Sequence, residues 1–126
     1  MQGNAGIWID HKEAFIVFAG ATDAEAKDLS VDKHVKFSGH GSGHEGSNED
    51  KQERQLENQR GKYYDEVITH VIDAESILLF GPGEAKGELE KRLGAKGLGK
   101  RIVGVETVDR MTDHQIVAKV RQHYQK

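Results

Sequence analysis

The chain has 126 residues, one proline, fifteen glycines and no cysteine, which excludes disulfides, thiolate zinc sites, iron–sulfur clusters and a cysteine nucleophile. That length suits a single domain over residues 1–126, long enough to bury a core without staples. A net charge of −3 with 31% charged residues is polar but globular, no apolar run approaches the ~18 residues of a membrane span, and no signal peptide is visible, so a cytoplasmic protein with no membrane partner is expected.

The first strand is expected over residues 5–10 (AGIWID) and the second over 14–20 (AFIVFAG), both rich in β-branched and aromatic residues. His11-Lys12-Glu13 between them suits a hairpin. Trp8 alternates with Ile7 and Ile9 and so faces the other side of its strand. Whether a helix covers it is left open. Residues 21–30 are a polar, acidic connection. In a third strand at 31–37, Val31, Val35 and Phe37 alternate with Asp32, His34 and Lys36, one face buried and the other wet.

Composition then changes sharply. Ser38 to Asn48 reads SGHGSGHEGSN, four glycines and three serines with no aliphatic or aromatic side chain. Such a segment has no apolar anchor and is expected to be flexible. The following run to Arg60 is polar except for Leu56, so residues 38–60 read as a long polar, glycine-rich insertion whose second half suits a solvated helix. From 62 onward Tyr63, Tyr64, Val67, Ile68, Val71 and Ile72 form one broad apolar helical face.

Ser76-Ile77-Leu78-Leu79-Phe80 is a continuous apolar run, the mark of a strand buried on both faces. Gly81-Pro82-Gly83 turns the chain into a helix with Ala85, Leu89 and Leu93 on one side and Gly94 as its expected stop. A fifth strand is expected at 101–106. A last helix, over 112–124, has Thr112 as its cap and Ile116, Val117, Val120 and Tyr124 facing the core. The order is β-β-β-α-β-α-β-α. Three antiparallel strands joined to a parallel pair make an α/β fold with a mixed sheet, the order of ribonuclease-H-like folds.

Charge is distributed unevenly along this order. Residues 1–83 carry 8 Lys/Arg against 15 Asp/Glu, and residues 84–126 carry 10 against 6. Lys91, Arg92, Lys96, Lys100 and Arg101 lie in one acid-free stretch, which points to a polyanionic partner because such clusters displace phosphate counterions. The bland reading of the same stretch is a solvated loop between two elements.

Catalytic patterns are weaker. His34, His40 and His44 lie close together, yet their number and spacing fit no standard zinc site, and solvated histidines are the preferred reading. A two-metal nuclease would draw on Asp10, on Glu66 or Asp73, and on Glu106 or Asp109; Asp10 at a hairpin is equally expected for local hydrogen bonding. Gly81-Pro82-Gly83 lacks the spacing of a phosphate-binding loop and reads as a tight turn, with Lys86 one turn on still able to touch a phosphate. No catalytic residue, metal or cofactor is assigned.

Three segments together resemble one family. Ile9-Asp10-His11-Lys12-Glu13-Ala14 resembles the V-D-G-x-E-A hairpin that opens the middle domain of archaeal and eukaryotic peptide-chain release factor 1. Phe80 to Leu89, FGPGEAKGEL, is similar to that domain's G-G-P-G-P-T-K-E-E-F. Ile102 to Thr107, then a polar stretch and a helix, is similar to its V-L-G-V-V-D-T segment, and Gln52 to Arg60 stands where the family has a Gln/Arg-rich run. The resemblance implies the middle-domain fold shared with the rescue factor Pelota and with bacterial single-domain relatives. It also implies a ribosomal partner, ribosomal RNA or tRNA.

Working release factors carry Gly-Gly-Gln in the loop after the third strand. Here that loop reads Gly43-His44-Glu45-Gly46-Ser47-Asn48, and no Gly-Gly-Gln occurs in the chain. The codon-reading and GTPase-contacting domains have no counterpart in 126 residues. The expectation is a non-catalytic, ribosome- or RNA-binding translation factor. Lys91, Arg92, Lys96, Lys100, Arg101, Arg54 and Arg60 would supply the RNA contacts, and residues 43–48 would form a functional loop. A metal-dependent nuclease and a protein-interaction domain on the same fold are the alternatives.

Overall fold

The computed structural model describes residues 3–19, 30–37 and 49–124, with side chains in the first helix described from Glu57 onward. Its elements are β1 (Asn4–Ile9), β2 (Glu13–Ala19), β3 (Lys33–Lys36), α1 (Glu49–Val71), β4 (Ser76–Gly81), α2 (Ala85–Ala95), a 3-10 turn (Gly99–Arg101), β5 (Ile102–Thr107) and α3 (Asp113–Tyr124). The sheet order is β3-β2-β1-β4-β5. β1 pairs antiparallel with β2 and parallel with β4, β3 lies antiparallel to β2, and β5 parallel to β4. The expected mixed α/β architecture is present.

Strand alternation divides the core into two layers. Ala5, Ile7 and Ile9 of β1, Ile16 of β2 and Ile77 and Leu79 of β4 pack with Tyr63, Tyr64, Val67, Ile68 and Val71 of α1 and Leu89 and Leu93 of α2. Trp8, Val17, Leu78 and Phe80 point the other way, against Ile116 and Val120 of α3. Trp8 is therefore fully buried, which the strand pattern had left open. Phe15 tilts against its ring at 5.8 Å between centroids. Gly6, its neighbour on β1, has no room for a side chain because an added Cβ would meet Val120 Cγ2 at 2.3 Å.

Several expected boundaries move, each for a physical reason. Residues 49–60, expected as the helical second half of the insertion, are the opening turns of α1, which runs unbroken to Val71. The glycine-rich residues 38–48 lie outside the described residues. Ile72, expected on the apolar face, sits just past the end of α1 and is half exposed. β3 is shorter than expected because the Asp32 carboxylate, rather than a backbone carbonyl, takes the Phe18 N–H at 2.7 Å.

α2 ends at Ala95 rather than at Gly94. Leu98 N–H donates to Leu93 C=O at 2.9 Å and Gly97 N–H to Gly94 C=O at 3.0 Å, with Gly97 at φ 82°. That is a Schellman stop, closed by apolar contact across Leu93 and Leu98 within one core cluster. Thr112 caps α3 as expected. Its hydroxyl accepts from Gln115 N–H at 3.2 Å while Gln115 Oε1 accepts from Thr112 N–H at 2.9 Å, a reciprocal capping box.

The Gly81-Pro82-Gly83 turn gives a test of the fold. Gly81 has φ 153° and a Cβ there would lie 2.1 Å from the Ile9 carbonyl oxygen, so backbone must move. At Gly83, φ is 66° and nothing lies within 4 Å. In urea unfolding, Gly83→Ala should cost the left-handed penalty of about 1–2 kcal/mol. Gly81→Ala should cost clearly more, because it separates β1 from the end of β4.

Candidate functional site

Of the cations singled out in the sequence, Arg60, Lys91, Arg92, Lys96 and Arg101 lie along the α1–α2 side of the sheet. The junction of the two helices rests on one bidentate pair. Arg92 of α2 donates through Nε to Asp65 Oδ1 at 2.7 Å and through Nη2 to Asp65 Oδ2 at 3.0 Å, and Lys96 Nζ approaches Oδ1 at 3.5 Å. Gly61 lies beside this pair: a Cβ there would stand 3.0 Å from Arg92 Nη2, so the guanidinium would have to give by a few tenths of an ångström. A glycine inside a helix costs about 1 kcal/mol relative to alanine. The Arg92 hydrogen bonds, with Lys96 adding its charge, hold the Asp65 carboxyl below the usual carboxylate range.

One turn toward the hairpin, the Tyr64 hydroxyl donates to Glu88 Oε1, and His11 Nε2 approaches the same oxygen at 3.5 Å. Tyr63 donates to the Asp10 carbonyl at 2.9 Å. Burial raises the pKa of both phenols, and each also faces a carboxylate, so they stay neutral donors. The two tyrosines thus belong to the core while tying α1 to the β1–β2 hairpin and to α2. Between α1 and α2 lies an open cavity of about 420 Å³ lined by Glu57, Arg60, Gly61, Tyr64, Glu88 and Lys91, with Arg92 at its side.

The expected RNA-facing residues therefore play different parts. Arg101 Nη1 donates to the carbonyls of Ile72 at 2.6 Å and Ala74 at 3.1 Å, closing the C-terminal end of α1. Arg92 and Lys96 are engaged by Asp65. Lys91 and Lys100 are exposed and Arg60 half-buried, and none of the three has an ion pair or hydrogen bond among the described residues. Arg54 lies on α1, but its side chain is outside the described residues, as are Gly43, His44, Glu45, Gly46, Ser47 and Asn48.

The nuclease carboxylates are dispersed. Asp10 Oδ1 accepts from the backbone N–H groups of Lys12 and Glu13, both at 2.8 Å, the local turn role expected of it. Its other oxygen lies 3.5 Å from Arg110, which also donates to Glu13 at 2.9 Å. Glu106 pairs with Lys119 at 2.7 Å. His34 stacks on Phe15 and hydrogen-bonds Glu13. Among the described residues no three His, Asp or Glu side chains converge on a point that would hold a metal. Lys86 is buried, its ammonium donating to the Gly83 carbonyl at 2.5 Å, so it secures the turn rather than facing solvent.

Sequence reasoning missed the pairings. Asp65 and Arg92 lie 27 residues apart, and Arg110 and Glu13 lie 97 apart. The one available signal was Gly61, a glycine interrupting an otherwise regular helix.

With this geometry in place, comparison with solved structures is informative. The chain superimposes on the Pelota protein of Thermoplasma acidophilum with a TM-score of 0.64 at 16% identity, covering 94% of this chain and 31% of that one. It matches the archaeal translation termination factor aRF1 with a TM-score of 0.59 at 18% identity, over 96% of this chain and 36% of the other. Archaeoglobus fulgidus Pelota gives 0.62 at 12% identity, over 95% and 31%. No family model matches the sequence, and no curated protein matches it. The chain spans about a third of the length of these structures, and its fold is that of a release-factor/Pelota middle-domain-like fragment.

The two kinds of cation are separable by stability. Arg101→Gln should cost about 1 kcal/mol by removing two hydrogen bonds at the end of α1, whereas Lys100→Gln should stay within about 0.5 kcal/mol. Urea denaturation of the two variants checks this.

A pH series tests the helix junction. The carboxyl of Asp65 is depressed in the folded state, so its contribution is fully present above the unfolded value near pH ~4 and is lost as pH falls through the folded pKa. Both partners are about 40% exposed, which limits the pair to roughly 0.2–1 kcal/mol. Asp65→Asn should lie below the wild type by that amount at neutral pH, and the gap should close in acid.

Proposed function

We propose that this chain is a translation-associated factor that binds the ribosome or its RNA and performs no chemistry of its own, in a rescue- or hibernation-like role. The observation that carries the reading is the match of nearly the whole chain to parts of Pelota and of aRF1, a translation termination factor. The β3-β2-β1-β4-β5 order supports the ribonuclease-H-like assignment of the sheet. A cytoplasmic location follows from the same reading. No helix among the described residues is long and apolar enough to cross a membrane.

The RNA-facing surface is the α1–α2 side. From Arg60 to Val71 the helix extends about 17 Å at about 1.5 Å per residue. Arg60, Arg92, Lys96 and Arg101 are distributed along that length, and Lys91 and Lys100 are exposed. Arg54 would extend the row. Phosphates brought against it displace condensed counterions, which supplies affinity without sequence preference. Arg92, Lys96 and Arg101 contribute their field while remaining bonded to the protein; Lys91, Lys100 and Arg60 touch the phosphates directly.

The non-catalytic part of the proposal rests on chemistry. No Gly-Gly-Gln occurs in the chain, so the glutamine that would position water against peptidyl-tRNA has no counterpart. The loop Gly43 to Asn48 would enter a confined RNA site without that group.

Ribosome co-sedimentation at two salt concentrations tests the reading. The chain should pellet with ribosomes at low salt and be released as salt rises. Lys91→Gln with Lys100→Gln removes one cation from each of two phosphate contacts. Binding should weaken, and the salt dependence should flatten by up to roughly 1.4 in log–log slope on single strands. A chain that stays in the supernatant at low salt overturns the proposal. In a single-turnover assay, peptidyl-tRNA should be hydrolysed no faster with the chain than without it.

A further inference from the structure

The groove between α1 and α2 carries a more specific arrangement than a basic surface. Two of its charged lining groups are already engaged, Arg92 by Asp65 and Glu88 by the Tyr64 hydroxyl. Arg60, Lys91 and Glu57 line the same cavity of about 420 Å³ and have no ion pair or hydrogen bond among the described residues. Gly61, Tyr64 and Ala95 supply its uncharged lining. Among the described residues the open cavity thus presents two cations without an ionic partner, Arg60 and Lys91, and two carboxylates, Glu57 and Glu88, the second already taking the hydrogen bond of a neutral phenol.

That pattern discriminates among anionic ligands. A terminal phosphate carries close to two charges and would meet the Glu57 carboxylate unfavourably. An internal phosphodiester carries a single charge, matched by Arg60 and Lys91, and brings a base with it. A carboxylate beside the phosphate seat accepts a hydrogen bond from an exocyclic amino group, as acidic side chains do with cytosine N4. In a duplex that amino group is taken by pairing, while an unpaired base offers its Watson–Crick edge.

We infer that the α1–α2 groove seats one unpaired nucleotide of single-stranded RNA, with its phosphodiester on Arg60 and Lys91 and an amino-bearing base edge on Glu57. The inference rests on the RNA-binding reading above and adds a base preference to it. Cytosine carries an amino group at the position where uracil carries a carbonyl oxygen. Uracil therefore sets an acceptor against the Glu57 carboxylate, and cytosine sets a donor.

Fluorescence anisotropy of the full chain with labelled oligocytidine and oligouridine of about ten nucleotides, within the usual span of single-strand sites, tests this. Oligocytidine should bind about fivefold more tightly, the lower end of discrimination by a base contact. Glu57→Gln, whose amide both donates and accepts, should erase the preference by improving oligouridine binding. Arg60→Gln with Lys91→Gln should weaken both RNAs and lower the log–log salt slope by about 0.7, one phosphate on a single strand. Circular dichroism melts verify that the variants remain folded.

Equal binding of the two RNAs by the wild type, or a preference that survives Glu57→Gln, overturns the groove assignment. So does an unchanged salt slope in the double variant. In each of those cases the RNA-binding reading itself stands. Absence of binding to either RNA at low salt overturns both.

Discussion

β1 must be covered on both faces, and most of the architecture answers that requirement. It is the seam at which an antiparallel pairing with β2 meets a parallel pairing with β4, and Ala5, Ile7, Trp8 and Ile9 have no exposure. A strand at the seam has no edge of its own to leave in water. α1 and α2 close one face through Tyr63, Val67 and Leu89, and α3 closes the other over Trp8. Each fully buried side chain of this size contributes about 1.5–3 kcal/mol relative to exposure. Close approach matters as much as burial, since Gly6 and Gly81 mark places where Val120 and the Ile9 carbonyl stand where a Cβ would be.

Polar side chains fasten the layers at their rims. Arg110 joins the loop before α3 to Asp10 and Glu13 of the hairpin and lies 6.0 Å from the Trp8 ring. Tyr124 at the end of α3 donates to the Ala5 carbonyl at 3.0 Å, 119 residues away in sequence. Lys119 pairs with Glu106 and covers Phe80 at 5.7 Å, so the ammonium is held at the edge of an apolar patch. Exposed pairs of this kind stabilise only modestly. On the α1–α2 side, the same logic turns Arg92, Lys96 and Arg101 into structural cations, while Lys91 and Lys100 are exposed and Arg60 is half-buried at the groove.

Basic residues thus divide by geometry, although composition makes them equivalent. A fold match at 12–18% identity establishes how the chain is built. Which side chains meet a ligand depends on which charges the fold has already engaged. Among the described residues, the groove beside Gly61 brings Arg60 and Lys91 together with Glu57 without an ion pair between them.

Local pattern alone determined much of this protein. Period-two alternation in the strands, the apolar face from Tyr63 to Val71, the double-sided burial of Ile77 to Phe80 and the Thr112 cap are all readable because each depends on neighbours within a few residues. The order of those elements specified a mixed α/β sheet, and the hairpin and GPG segments pointed to the release-factor fold. Tertiary structure decided what depends on distant partners. Trp8 is buried because α3 arrives over a hundred residues later, and α2 closes in a turn at Gly97 rather than at Gly94 because Leu98 finds a place in the core. Arg92 and Arg101 left the pool of solvent-facing cations because Asp65 and the end of α1 stand within reach. Sequence spacing carries no information about such partners, since an ion pair is set by distance in space and not by separation along the chain.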